Sequence, residues 1–469
     1  MAITLINVFF LAIVFIIFYS VKNETAKMRT LLYGSLLFYI YYEPLLTPVL
    51  IVISALAYII GLLLGKFPGH KKALLWVFFL TLLGLYYPLK YNDTFESLLK
   101  NIFHFEGLRW LYLPLGLSFY SYKTMTYVLD IYYERSLPQK SIEKYLLFVS
   151  YFPQIFCGPI MGPDEFFNQL KITNDFNLDE IIDGLRLVAI GVFKKLVLAN
   201  NLFLFFQMAY LDPSLASGIE WVIISVITRF YVYYDFSGYS DISNGVSLLF
   251  GIKVKKNFDL PFKSKSITEF WRRWHISLSS WIRDYVYYPM VSKFSSYAGI
   301  YISLVLSFIC LGLWHGDHIN YILYGFINGL AVAVSTYLAK KNRHKKASSL
   351  VDVILMRSGL YVFLIFLPSL LLMSHTTTTF YQIVNVLTDF SSWFQFKFID
   401  MNAVISLAYL VIPFALLFEL ILIFYGDQLK ARYTSMGVKQ RMTILLLIIM
   451  LSFTFVSPDV NYRFLYQGF

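Results

Sequence analysis

The sequence predicts an all-α, polytopic integral membrane protein. Hydrophobic residues make up 58% of its 469 residues and charged residues only 14%, a balance too apolar for a soluble protein of this length. Uncharged apolar runs, each near the ~20 residues that a membrane span needs, recur along the chain. They lie at 2–21, 44–65, 73–89, 294–316, 358–388 and 442–458, with shorter runs at 31–42 and 401–418. We therefore expect ten or eleven transmembrane helices.

Two apolar stretches carry proline and glycine and predict broken or re-entrant helices. These are 109–129, with Leu113-Pro-Leu-Gly-Leu-Ser-Phe119, and 144–160, with Pro153-Gln-Ile-Phe-Cys-Gly-Pro159. Because unpaired backbone groups are costly at membrane depth, such breaks must be buried in protein or line a cavity.

The distribution of lysine and arginine predicts the orientation. No basic residue precedes the first run, which is longer than the apolar part of a signal peptide, whereas Lys22, Lys27 and Arg29 follow it. The positive-inside rule then puts this loop in the cytoplasm and the N-terminus outside. By alternation the basic clusters at 66–72, 253–265, 340–346 and 430–441 lie inside, and the tail after Ser457 ends outside.

The net charge is +11, and the basic residues responsible for it are concentrated in these inner loops. Orientation and contact with anionic lipid explain it better than nucleic acid does, although the loops could also meet a phosphate-rich cytoplasmic donor such as a nucleotide thioester. No extramembrane stretch is long enough for a soluble domain, so we expect one membrane domain over 1–469. It would contain N-terminal spans (1–108), a motif-bearing core (109–345), C-terminal spans (346–456) and a tail (457–469).

Neither the cysteines nor the histidines predict a metal site or a permanently bound cofactor. Cys157 and Cys310 both lie in apolar sequence, where a small buried hydrophobe is a better interpretation than an acyl thioester. His315, Asp317 and His318 resemble the beginning of a metal site, but zinc needs three or four ligands and no further cluster accompanies them.

His315 is the strongest candidate for chemistry. It ends the uncharged stretch from Phe294 to Gly316, and an ionisable group there costs free energy to keep. Gly312 and Gly316 flank it four residues apart, which permits close helix contact or a backbone break. An imidazole with an ordinary pKa of ~6.5 can take a proton from a hydroxyl at neutral pH; the alternative is an interhelical hydrogen bond.

A second unusual segment spans Ile267 to Tyr285. Treated as one helix, 268–285 has an aromatic stripe and an i,i+4 pair of Glu269 with Arg273. The stripe contains Trp271, Trp274, Leu278, Trp281 and Tyr285. His275 lies at its edge, where a structural and a catalytic histidine are equally compatible with position. The adjacent arginines, Arg272 and Arg273, suit lipid headgroups or a phosphate ligand.

The segment Phe230 to Asp241 holds two acidic residues in or beside a span. Asp235 and Asp241 either form structural ion pairs, Arg229 being in the same stretch, or take part in function. Either way, ionisable groups in this segment are candidates for a polar route through the membrane.

These motifs together resemble the membrane-bound O-acyltransferases, closest to the bacterial branch that modifies cell-envelope polymers. The resemblance covers roughly 110 to 330 and rests on motifs in the same order as in that family. They are Tyr-Phe-Pro-Gln…Gly-Pro-Ile (151–160), Asp-Phe-Ser-Gly-Tyr-Ser-Asp (235–241), Asn257-Phe…Pro261-Phe, Phe-Trp-Arg-Arg-Trp-His-Ile-Ser-Leu-Ser (270–279), Arg283-Asp-Tyr and Leu-Trp-His-Gly (313–316).

The resemblance implies a ring of helices, with broken helices, around a central funnel or tunnel. It puts His315 at the family's essential histidine and His275 at its second polar position, while Asp317 departs from the small residue of many relatives. Further candidates for the substrate route are Trp314, Trp274, Arg272, Arg273, Asp235, Ser237, Asp241 and Cys157.

The chain ends Phe464-Leu-Tyr-Gln-Gly-Phe469. In the D-alanyl exporters of this family a separate small peptide ends in a similar Phe-x-Tyr-x-x-Phe, whose tyrosine is implicated as an acyl carrier. By that similarity Tyr466 would accept the acyl group, a phenol that needs a nearby imidazole to become a nucleophile. The alternative is an aromatic tail resting at the membrane interface.

The expected function is O-acyl transfer across the bacterial inner membrane. Acetyl-CoA, or another cytoplasmic thioester, would donate; His315 would act as general base, Tyr466 as provisional acceptor, and His275 would orient or share the proton. An extracytoplasmic partner resembling SGNH serine esterases would then acetylate peptidoglycan or an alginate-like polymer, in preference to D-alanyl export. A proton- or ion-coupled transporter using Arg229, Asp235 and His315 as a relay is the rival class.

Overall fold

A computed structural model describes residues 5–103, 112–170, 176–203, 214, 216–316, 318–341, 377–395 and 403–455. These residues form helices joined by turns and contain no β-strand, so the all-α prediction is confirmed. Five of the described helices are long and apolar enough to cross a membrane, which confirms a polytopic membrane protein. They are Thr47–Lys66, Pro68–Lys90, Tyr297–His315, Ile319–Lys341 and Val411–Thr434. The total of ten or eleven spans stays a prediction.

The described α-helices follow the chain in this order: Leu5–Ser20, Glu24–Tyr42, Thr47–Lys66, Lys71–Lys90, Asn92–Phe103, Leu117–Tyr132, Ile142–Ser150, Pro163–Phe167, Leu178–Phe193, Gly218–Leu249, Ile267–Arg273, Ile276–Ile282, Tyr288–Lys293, Tyr297–His315, Ile319–Lys341, Thr377–Thr388, Ala403–Thr434 and Val438–Thr454. Lys194–Ala199 and Arg283–Tyr287 are π-helical turns. The described residues cluster into two compact units. The first contains those up to Ala189 together with Tyr239–Lys256, and the second contains Ile190–Gly238 and those from Asn257 onward.

In the first unit both predicted helix breaks are present. The helix Leu117–Tyr132 begins at Gly116, whose φ of 77° is in the left-handed region. A Cβ on Gly116 would lie 2.3 Å from the carbonyl oxygen of Ile155, so a side chain has no room there. The helix Ile142–Ser150 ends before the second proline-containing motif, and 151–162 contain no helix.

The end of that helix is closed by a buried cation. Lys123, only 2% exposed, donates from Nζ to the carbonyl oxygen of Phe148 at 2.9 Å and to Oε1 of Gln154 at 3.0 Å. The carbonyls of a helix's last turn have no partner within the helix. Lys123 therefore supplies a hydrogen bond to one of these carbonyls and ties it to the side chain of Gln154.

In the second unit, the interpretation of 268–285 as one helix is wrong. Ile267–Arg273 and Ile276–Ile282 are separate helices, because Trp274 is extended and His275 takes a left-handed conformation with φ 44°. A long-range hydrogen bond stabilises the break: the amide of Ile276 donates to the carbonyl oxygen of Asn257 at 2.8 Å. The aromatic stripe predicted on that helix consequently does not form one continuous face.

The consecutive helices Tyr297–His315 and Ile319–Lys341 are antiparallel and pack closely. We call this pair of helices the histidine hairpin. A Cβ on Gly312 would lie 2.1 Å from the carbonyl oxygen of Tyr321, and one on Gly325 would lie 2.3 Å from that of Phe308. The absence of side chains lets the two backbones approach, as predicted for Gly312. His315 is the last residue of the first helix and owes its position to this contact.

We expect Gly325→Ala to destabilise the protein by about 1–3 kcal/mol, the usual cost of overpacking, because the added methyl group meets backbone of the facing helix. The measurement is the thermal unfolding of purified protein in detergent. Gly84→Ala is the matched control: a Cβ on this helical glycine would have nothing within 4 Å, and alanine is the better helix former. Equal unfolding temperatures for the two variants would contradict close packing in the hairpin.

Candidate active site

The two histidines predicted from the sequence lie in the same unit and near each other. His275 is 3% exposed and His315 is 7% exposed. The ring of Trp314 lies close to both, with its centroid 6.1 Å from that of His275 and 4.6 Å from that of His315. The structure therefore brings together residues forty positions apart in the sequence.

The histidine hairpin encloses His315 in aromatic side chains. Tyr324 meets its ring edge to face at a centroid distance of 5.7 Å, and Tyr321 stacks on it at 6.4 Å. Gly316 has to lack a side chain, because a Cβ there would lie 2.2 Å from the Tyr321 ring. The backbone break after His315 thus lets Tyr321 cover the imidazole.

His275 lies between aromatic rings on one side and an amide on the other. Phe236 packs against it edge to face with centroids 4.5 Å apart, and the Phe258 ring lies at 6.4 Å. Its Nδ1 lies 3.3 Å from Oδ1 of Asn257, whereas its Nε2 is buried and has no hydrogen-bond partner within the described part of the chain. A neutral imidazole in this setting can accept a proton or a hydrogen bond.

Asn257 was not predicted as a site residue from the sequence. It appeared only as the first residue of the motif Asn257-Phe…Pro261-Phe. Its side chain is 1% exposed, and a buried amide next to an imidazole is a contact between positions eighteen residues apart, which periodicity does not reveal. Membership of the motif was the only available sign.

Trp274 shapes the site and carries a cation on its face. The guanidinium carbon of Arg229 lies 4.0 Å from the Trp274 ring centroid and 5.0 Å from that of Phe270. Phe258 meets the same indole edge to face at 5.1 Å. Cation–π contact of this kind stabilises a desolvated arginine, so Arg229 holds Trp274 immediately before the turn at His275.

Arg272 and Arg273, predicted as substrate-route candidates, occupy different environments. Arg272 is exposed. Arg273 donates to Oε1 of Glu269 at 3.0 Å, the predicted i,i+4 pair, and to Oδ2 of Asp259 at 3.1 Å. Arg273 therefore ties the end of its helix to the segment that begins at Asn257.

The remaining predicted residues are divided between the units. Asp235 is buried and pairs with Lys195, and the buried Ser237 Oγ has no hydrogen-bond partner among the described residues. Cys157, which is fully buried, and Asp241, which is half-buried, belong to the first unit. Tyr466 and Asp317 lie outside the described residues, within which no cluster of three or more His, Cys, Asp or Glu has metal-binding geometry.

Known proteins resemble this chain over most of its length. A peptidoglycan O-acetyltransferase of Helicobacter pylori is 32% identical over 346 residues, which cover 67% of this chain and 65% of that protein. A probable alginate O-acetylase of Pseudomonas syringae pv. tomato is 30% identical over 332 residues, or 68% and 63% of the two chains. A teichoic acid D-alanyltransferase of Bacillus subtilis is 29% identical over 241 residues, or 50% and 61%.

The chain thus spans slightly less than two thirds of the length of these relatives. Residues 72–374 match the membrane-bound O-acyltransferase family. This range includes both histidines and the hairpin around His315. Because this match covers well over half of the sequence, the chain belongs to the membrane-bound O-acyltransferase family.

Proposed function

We propose that this protein transfers an acyl group from a cytoplasmic thioester to an oxygen nucleophile on the outer side of the bacterial inner membrane. The observation that carries the proposal is the pair of buried imidazoles, His275 and His315, both close to the Trp314 ring. Burying two titratable rings in an apolar protein costs free energy, so a functional role is their default interpretation. Proton transfer during acyl transfer is such a role, and the names of the similar proteins agree with it.

The chemistry requires one proton acceptor near the attacking oxygen. In the proposed first step His315 takes the proton from the acceptor hydroxyl while the oxygen forms a bond to the thioester carbonyl carbon. The carbon–sulfur bond then breaks, and the thiol leaves with the proton that His315 returns. His275 orients the hydroxyl or shares its proton.

The proposed acceptor is Tyr466. Its phenol would become an ester in the first step, and the ester would pass to a nucleophile of an extracytoplasmic partner resembling SGNH serine esterases. That partner would in turn esterify a polysaccharide hydroxyl. Two successive transfers suit a donor and an acceptor separated by a ~30 Å hydrocarbon layer, with both chain termini outside.

We assign acetyl-CoA as the donor and a peptidoglycan or alginate-like polymer as the final acceptor. Two of the similar proteins are named for O-acetylation of these polymers. The resemblance to a teichoic acid D-alanyltransferase supports D-alanyl transfer as the second candidate. Supplying labelled acetyl and labelled D-alanyl thioesters in parallel separates the two.

We expect His315→Ala to lower acyl transfer by about 10²–10⁴-fold, the range for loss of a general base. The assay measures covalent label on purified protein in vesicles after addition of radiolabelled acetyl-CoA to one side. His318→Ala is the matched control, because this second imidazole is exposed and lies three residues further along. Equal labelling of the His315→Ala variant and the wild type would remove His315 from the mechanism.

We expect Tyr466→Phe to remove the stable acyl label, since the substitution deletes the nucleophilic oxygen and keeps the ring. Phe464→Leu, which alters the same tail but keeps the phenol, should still be labelled. Label retained by Tyr466→Phe would identify another acceptor, such as Cys157 or a serine. Absence of acyl label from wild-type protein with either donor would instead favour the transporter class.

A further inference from the structure

The turn that presents His275 is strained and is held by a short segment of chain. His275 has φ 44° and ψ 53°, a left-handed conformation that is unfavourable for a residue with a Cβ. Two backbone bonds hold it: the Ile276 amide donates to the Asn257 carbonyl at 2.8 Å, and the Asp259 amide donates to the Arg273 carbonyl at 3.0 Å. Strain maintained in this way is a feature of functional sites.

The orientation of the Asn257 amide follows from its neighbours. The backbone amide of Ser277 and the Ser277 hydroxyl lie 3.1 and 2.9 Å from Asn257 Oδ1. A backbone N–H can only donate, so the side-chain atom that faces it has to be the oxygen and not the NH₂ group. Asn257 therefore presents an acceptor at this position.

That acceptor determines the tautomer of His275. Its Nδ1 lies 3.3 Å from the same Oδ1, and an oxygen lone pair attracts a protonated ring nitrogen and repels an unprotonated one. In the neutral imidazole one nitrogen carries the proton and the other a lone pair. The contact with Asn257 accordingly favours Nδ1–H and leaves the lone pair on Nε2.

The Nε2 of His275 is buried and has no hydrogen-bond partner among the residues described. The rings around the imidazole, those of Phe236, Phe258 and Trp314, leave it in a largely aromatic environment. A buried acceptor without a donor costs free energy, which binding of a substrate hydroxyl would recover.

We infer that Asn257 is a positioning residue, which fixes His275 as the Nδ1–H tautomer so that Nε2 accepts the hydrogen bond of the attacking hydroxyl. The inference rests on the proposed function for the identity of that hydroxyl, but not for the tautomer. The hydroxyl carries one proton: Nε2 of His275 holds it in a hydrogen bond while the nucleophile binds, and the hydroxyl turns this proton to His315 when the oxygen attacks. Asn257 acts only through His275.

The tautomer can be measured without any assay of activity. The nitrogen-15 chemical shifts of full-length, histidine-labelled protein in lipid nanodiscs distinguish protonated from unprotonated ring nitrogens, and His275→Gln identifies the His275 signals. We expect a protonated Nδ1 and an unprotonated Nε2 in the wild type. Asn257→Leu should lose this preference, whereas Asn257→Asp, which keeps an oxygen at the same place, should retain it.

Kinetics supply the second arm. Asn257→Leu should lower kcat for acyl transfer by about 10²-fold, the cost of misplacing a reacting group, with little change in KM, since the ring orients the nucleophile and does not bind the donor. Asn257→Asp should keep most of kcat. Ser277→Ala is the matched control: it removes the hydroxyl that shares Oδ1 and leaves the contact with His275 intact.

Three results would count against the positioning role, and a fourth would count against the proposed function alone. An Nε2–H tautomer in the wild type, or an unchanged tautomer in folded Asn257→Leu, overturns the positioning role. Loss of kcat equal to that of Asn257→Leu in a folded Asn257→Asp variant that retains the tautomer also overturns it. Dependence of the tautomer on Asn257 in a protein that forms no acyl label would overturn the proposed function and leave the positioning role in place.

Discussion

Removing a charged or polar side chain from water is costly unless it finds a partner, and this constraint governs the interior of the protein. Lys123 is satisfied by a helix carbonyl and an amide, and Lys195 by Asp235. Each of these buried cations is compensated inside its own unit. Because their charges are compensated, these cations belong to the scaffold. His275 differs from them, since its Nε2 has no hydrogen-bond partner in the described part of the chain.

The same constraint explains where the backbone leaves the helical conformation. Each break exposes carbonyls and amides that need new partners, and each observed break has them. Lys123 closes the helix that ends at Ser150, and the Asn257–Asp259 segment pairs with the turn at His275. Backbone hydrogen bonds contribute about 0.5–1.5 kcal/mol each, so the two that flank His275 are of the size needed to offset the left-handed conformation there.

The apolar runs and the glycine and proline motifs predicted those features of the fold that depend on residues close together in the sequence. Apolar runs at 44–65 and 294–316 correspond to the helices Thr47–Lys66 and Tyr297–His315, and the glycine and proline motifs correspond to the breaks. The prediction of one helix over 268–285 was wrong, because the periodicity of that segment does not reveal the hydrogen bond from the Ile276 amide to the Asn257 carbonyl. Asp235 likewise pairs with a lysine forty residues away, a choice that depends on how helices pack.

The architecture of the site fixes the positions of its two imidazoles. The imidazoles belong to elements whose positions are over-determined: a hairpin closed by glycines, and a strained turn with a buried amide beneath it. Catalytic groups have to be held within fractions of an ångström, since small misplacements lower the rate steeply. In the proposed acyl transfer, this packing would hold His275 and His315 in position while the acceptor hydroxyl approaches them.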